Sequence, residues 1–391
     1  MIGTPGFVGA RLTEGREARA LPASVLAELV GVSHAAILQY ESGKTSPRPE
    51  VMALLADRLN LPQAFFKRPL DSLDESEDGI VWRSLTSATK AARRRCWRRL
   101  TWVQNIVRYL RESLDLPEPK LPDFGIGNPA LLTMKDIEVF ASLTRETWGL
   151  GVGPIADLTL LLENNGVIVS RLRLTADGLD AFARWSERDG APYIILGADK
   201  NSAVRSRYDA AHEFGHLVLH RKTAGLDHKR LEAQAFRFAS ALLLPEQSFV
   251  KELWAPSLDA FRSLKDRWRV SIGAMIKRCE QLEILGSEQT QRMWINYNRR
   301  GWRQVEPLDE VLPIERPRLL GRCFEMLVRD GIRSKAQILV DLPYAARDLE
   351  EIARLPKGYF IDEGPEVRLK DSGTARPAGS VVPFPGGRPK N

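Results

Sequence analysis

Residues 211–220 read Ala-His-Glu-Phe-Gly-His-Leu-Val-Leu-His, and no other stretch constrains the fold of this chain as tightly. Two histidines four apart, with a glutamate after the first, form the H-E-x-x-H pattern. The pattern demands a helix, because residues i and i+4 then project from one face on successive turns. So placed, His212 and His216 can each reach one zinc ion at about 2.1 Å. Glu213 points to the side where a bound water would sit. It can take that water's proton while the metal polarises a peptide carbonyl, the two tasks of metal-assisted hydrolysis.

The flanks support the helix. A β-branched run at 192–196 predicts a strand, Asn201 and Ser202 follow as N-caps, and Val204, Tyr208, Ala211, Gly215, Val218 and Leu219 supply apolar contacts. Four of the five histidines fall between positions 212 and 228. His220 lies eight residues beyond His212, roughly 12 Å along the axis, too far to share its metal. It is expected to end the helix or cap its last carbonyls. A third ligand must come from elsewhere. The helix predicted over 231–244 packs through Ala235, Phe236, Ala239, Leu242 and Leu243, and Glu232 lies on that inward face. A carboxylate there is costly unless it is paired or coordinated, so Glu232 is the expected ligand. Asp227 and His228, in the preceding loop, compete for the role.

Taken together, Arg207-Tyr208, AHEFGH and EAQAFRFASALLLP resemble the ImmA/IrrE family of metallopeptidases over roughly residues 135–250. Gln234 stands where the family's second motif has asparagine. The resemblance implies a zincin-like core holding Zn2+ on His212, His216 and Glu232, with Glu213 as general base. It also implies limited proteolysis of a transcriptional repressor in a stress, mobile-element or toxin–antitoxin circuit. Arg207 and Tyr208 are candidates either for stabilising the oxyanion or for a structural role.

Near the N-terminus, residues 26–43 follow helix-turn-helix grammar. Leu26, Ala27 and Val30 pack one helix, Gly31 turns the chain, and Ser33 caps the next. This stretch resembles the Xre, lambda-repressor-like family, whose second helix enters the major groove. On that resemblance Ser33, His34, Ala35 and Gln39 face bases, while Lys44, Thr45 and Ser46 lie near phosphates. Gln39 is the best reader, since its amide can bind adenine bidentately. Pro22 and Ala23 stand where the family places a polar brace, and a helix-turn-helix can instead serve dimerisation or a protein partner.

Charge bears on that choice. The 391 residues carry a net +7, enough to admit an anionic partner without requiring one. Residues 1–70 hold eight basic and six acidic side chains, whereas 81–111 hold nine Lys or Arg and no acid. The helix predicted over 89–111 packs through Trp97, Leu100, Val103, Val107 and Leu110. Arg94, Arg95, Arg98 and Arg99 are expected on the opposite face, either solvated and coupling two domains or contacting phosphates.

The remaining sequence sets the organisation. Cys96, Cys279 and Cys323 are too scattered for a disulfide framework or a cysteine zinc site, and no apolar run is long enough to span a membrane. The expected fold is mainly α with a small sheet (α+β). Expected units are a helix-turn-helix domain at 1–70 and an acidic linker with the basic helix at 71–129. A metallopeptidase domain follows at 130–255, then a helix-turn-helix-like segment at 256–300. A helical unit at 301–370 and a disordered tail at 371–391 complete the chain. The expected protein is cytoplasmic and homodimeric, with double-stranded DNA and a repressor as partners. The rival function is a regulator or antitoxin whose zincin fold senses or binds without turnover.

Overall fold

The computed structural model describes residues 3–69, 89–174, 180–198, 202–221 and 227–361. The described residues are mostly helical, sixteen α-helices around one three-stranded sheet. Asn201, the acidic stretch 71–79 and the 371–391 tail lie outside them.

Helices α1 (Gly9–Ala18), α2 (Ala23–Val30), α3 (His34–Glu41) and α4 (Pro49–Leu59) form an N-terminal bundle. Leu26, Ala27 and Val30 are buried, and Gly31 ends α2 at φ 69°. Glycine takes that left-handed backbone without steric cost, so one residue sets the turn. The Ser33 hydroxyl then accepts from the Ala36 amide at 3.1 Å and starts α3.

Helix α5 (Lys90–Arg111) begins after its Thr89 cap, as the pattern predicts, but its surroundings differ from the expectation. Trp97, Leu100, Trp102, Val103, Ile106, Val107 and Leu110 are all buried, and so are Arg99, Thr101, Gln104 and Asn105, so the helix is enclosed on nearly every side over residues 96–107. Arg98 and Arg99 are not on a solvated face. Arg98 reaches Glu17 at 2.9 Å. Arg99, 3% exposed, reaches Asp348 at 2.6 Å and Glu351 at 2.8 Å. Arg19 shares Asp348 from the other side, at 2.6 Å. Neither the solvated-face reading nor the phosphate-arm reading holds for Arg98 and Arg99. Buried guanidinium ions require carboxylate partners, and both ends of the chain supply them.

Helices α6 (Met134–Thr147) and α7 (Leu158–Asn164) lead into β1 (Ile168–Leu172), β2 (Ala181–Trp185) and β3 (Pro192–Gly197). The sheet order is β1-β3-β2. Strand β1 runs parallel to β3 with Ile168 opposite Tyr193, and β2 runs antiparallel with Phe182 opposite Ile195. Strand β2 carries no strand pattern in the sequence, because its two alanines and arginine are weak strand formers. Successive strand residues face opposite ways, and here both faces are covered. Ile168, Leu172, Phe182, Tyr193 and Ile195 join one core with the N-terminal bundle and α5. Val169, Ala181, Ala183, Ile194 and Leu196 join a second core on the other side.

That second core is completed by α8 (Ala203–Leu219), α9 (His228–Leu243), α10 (Glu246–Glu252), α11 (Leu258–Trp268), α12 (Ile272–Gln281) and α13 (Ser287–Arg299). Helix α12 is turned inward rather than shaped to read DNA. Met275 and Ile276 are buried, and buried Arg278 donates to the Leu244 carbonyl at 2.9 Å. Finally α14 (Leu319–Arg329), α15 (Lys335–Asp341) and α16 (Ala346–Ala353) return to the first core through Leu320, Phe324, Ile338, Leu349 and Ile352. Ser170 of β1 donates to the Ile352 carbonyl at 2.9 Å. The C-terminal helices therefore do not stand apart. They close the N-terminal bundle and the sheet into one body.

Candidate metal centre

Strand β3 feeds α8, which the Ser202 hydroxyl caps by accepting from the Arg205 amide. Helix α9 packs along α8 at close range. A Cβ on Gly215 would meet Phe238 at 3.2 Å and Ala235 Cα at 3.4 Å, so glycine between the two histidines permits the approach. The approach brings three ligand atoms together. His212 Nε2 and His216 Nε2 lie 3.1 Å apart. Glu232 places Oε2 at 3.4 Å from the first and Oε1 at 3.2 Å from the second. Ligands held about 2.0–2.1 Å from a tetrahedral zinc stand about 3.3 Å from one another, so the three side chains fit a zinc ion as they are. Lone pairs converging on one point repel one another unless a cation shares them.

Burial lowers the His216 pKa to about 4 and that of His220 to about 3, which leaves both rings neutral at neutral pH. Their tautomers follow from one backbone carbonyl. Gln234 Nε2 donates to Pro129 O at 2.8 Å, which turns its Oε1 toward His220 Nε2 at 2.9 Å. A carbonyl oxygen only accepts, so His220 carries its proton on Nε2 and offers a lone pair at Nδ1. His216 Nδ1, 2.8 Å away, must then be the donor. The His216 Nε2 lone pair is left facing the other ligands, in the protonation a metal ligand needs. His220 thus ends α8, as expected, but its ring braces His216 instead of capping the last carbonyls. The i+4 spacing of His216 and His220 was visible in the sequence, whereas Pro129 was too distant to suggest a partner.

The other candidates fall around this centre. Glu213 is fully buried on α8, next to the first histidine. Asp227 caps α9 by accepting from the Lys229 amide at 3.1 Å. His228 stands one turn before Glu232, its Nε2 at 3.8 Å from Oε1 and its side chain 33% exposed. Arg207 is tied to Glu315 and to the Ile155 carbonyl. The Tyr208 hydroxyl is held by Ser240 at 2.8 Å and by the Phe236 carbonyl at 3.1 Å. These bonds fasten α8 to its neighbours.

The helix-turn-helix candidates are not gathered into a pocket. His34, Ala35, Gln39 and Lys44 are exposed on or just after α3, as are Thr45 and Ser46, while the Ser33 hydroxyl is engaged as the cap. Leu38 of α3 and Leu29 of α2 are 47% and 44% exposed. Glu41 is held by Arg16 at 2.5 Å.

Two imidazoles and a carboxylate on packed helices, with a glutamate beside the first histidine, define a metallopeptidase-like domain. Family models agree with that class and locate it. An IrrE N-terminal-like domain of a peptidase family matches residues 162–280, and a helix-turn-helix domain matches residues 8–65. The chain thus joins a helix-turn-helix domain to an ImmA/IrrE-like domain. A search of the curated proteins finds no match to it. Among the described residues no single helix is long and apolar enough to cross a membrane.

Proposed function

We propose that the chain is a cytoplasmic, DNA-binding transcriptional regulator carrying a zinc-dependent endopeptidase that cuts a repressor protein. The observation that carries this reading is the convergence of His212, His216 and Glu232 at tetrahedral spacing, with Glu213 beside the first of them. Zinc held there would polarise the scissile carbonyl and acidify a water. Glu213 takes the proton from that water and returns it to the departing amine, acting first as general base and then as acid. His220 and Gln234 keep His216 in the tautomer that leaves Nε2 open. Arg207 and Tyr208, the candidates for the developing oxyanion, are both held by partners within the chain. Ser33, His34, Ala35 and Gln39 face bases, and Lys44 faces phosphate, in a homodimer that brings the peptidase to an operator.

The test compares wild type with Glu213→Gln for bound zinc and for cleavage of repressors encoded beside the gene. Equal zinc, with cleavage reduced about 10²–10⁴-fold in the variant, is the expected result. Equal zinc with no product from either protein overturns the peptidase in favour of a regulator whose metal site senses or binds without turnover.

A further inference from the structure

Helices α8, α9, α12 and α13 enclose a cleft of about 540 Å³ lined by Tyr208, Phe236, Ala274 and Trp294, with Arg205 and Lys277 among its polar residues. It adjoins the metal centre. The Phe236 ring lines the cleft and also packs on His212, with centroids 4.5 Å apart. Tyr208 precedes His212 by one turn and Phe236 follows Glu232 by one turn, about 6 Å along each helix. An extended polypeptide advances about 3.4 Å per residue. A peptide bond held at the metal centre would bring a side chain one or two residues away within reach of the cleft.

The walls indicate which side chain. Phe236 and Trp294 are only half-buried, so aromatic surface is left open inside. The Tyr208 hydroxyl is engaged by Ser240 and the Phe236 carbonyl. Arg205 donates to the carbonyls of Arg303 and Gln304, and Lys277 pairs with Glu280 at 2.8 Å. Asp209, Ser271, which caps α12, and Gln281 complete the polar part of the lining, but the larger part of the surface a ligand would meet in the cleft is apolar. Its volume is that of a ligand-binding cleft. A methyl group would leave it largely empty, whereas an aromatic or branched aliphatic side chain would cover its walls.

We propose that this cleft is the specificity pocket for a bulky apolar side chain adjoining the scissile bond of a polypeptide substrate. The cleavage half of that statement rests on the peptidase reading, while the binding half does not. The test uses the zinc-loaded full chain and two capped hexapeptides, one with phenylalanine at its fourth position and one with alanine there. Binding is measured calorimetrically to Glu213→Gln and cleavage to the unmodified protein. The phenylalanine peptide should bind at least tenfold tighter. Adding Ala274→Phe, which fills the cleft, should erase the difference. Trp294→Ala, which removes one wall and serves if the first variant does not fold, should reduce it severalfold. Equal binding of the two peptides, or a preference that survives both variants, overturns the pocket. A preference in binding without cleavage keeps the pocket and removes the peptidase. Cleavage without preference does the reverse.

Discussion

Helices α8 and α3 carry the two candidate activities and present them in opposite ways. Helix α8 turns His212 and His216 toward one interior point, where α9 adds Glu232. Helix α3 turns His34, Ala35, Leu38 and Gln39 outward. A metal centre is closed within the chain, and burial strengthens what its groups do to one another. A DNA-reading face is half of an interaction whose affinity comes largely from the surrounding cationic field. That field is thin here. The α5 arginines that could have enriched it include Arg98 and Arg99, which are spent on Glu17, Asp348 and Glu351. Spacing on a helix is thus sufficient to recognise the inward site and insufficient to recognise the outward one.

The comparison can be broken most forcefully at α5. Arg99→Ala leaves Asp348 and Glu351 short of a buried cation and should lower stability by about 3–5 kcal/mol, read as a fall in the thermal unfolding midpoint. The salt dependence of DNA binding should stay as in wild type. A slope reduced by about one would instead make Arg99 a phosphate contact. At α8, His220→Ala strips the partner from His216 Nδ1 and should weaken zinc binding about 10–100-fold in a chelator competition. The visible spectrum of the cobalt-substituted protein should change with it. An unaltered affinity and spectrum would reduce the His216–His220–Gln234 chain to packing. At α3 the expected effect is smallest. Gln39→Ala should cost about 1–3 kcal/mol of operator preference in a fluorescence anisotropy titration, with zinc content unchanged. If affinity for every sequence is unchanged, α3 is not a base reader, and exposed Leu29 and Leu38 mark a protein-binding face instead.

Much of the candidate site was legible because its parts lie close in the chain. His212, Glu213 and His216 share one helix, and Glu232 was found as a carboxylate on an inward face. The bracing of His216 was not legible, since it runs through Gln234 to Pro129, 105 residues upstream. Strand β2 escaped notice because its residues are buried by their neighbours on both sides rather than selected by strand propensity. The basic run of α5 was misjudged for a related reason. Its acidic partners lie 81 and about 250 residues away, and without them a cluster of arginines looks solvated.

By itself the sequence determined what short-range geometry can determine. It set the imidazoles on one helical face, the glycine turn before α3, the serine cap at Ser33 and the inward placement of Glu232. Helical periodicity and capping operate within a turn or two, so a few residues specify them. Only the tertiary structure decided which charges are buried, which tautomer His216 holds, and that both ends of the chain share a core across the sheet. Those outcomes depend on desolvation and on hydrogen-bond partners brought together from remote positions, and sequence separation carries no record of either.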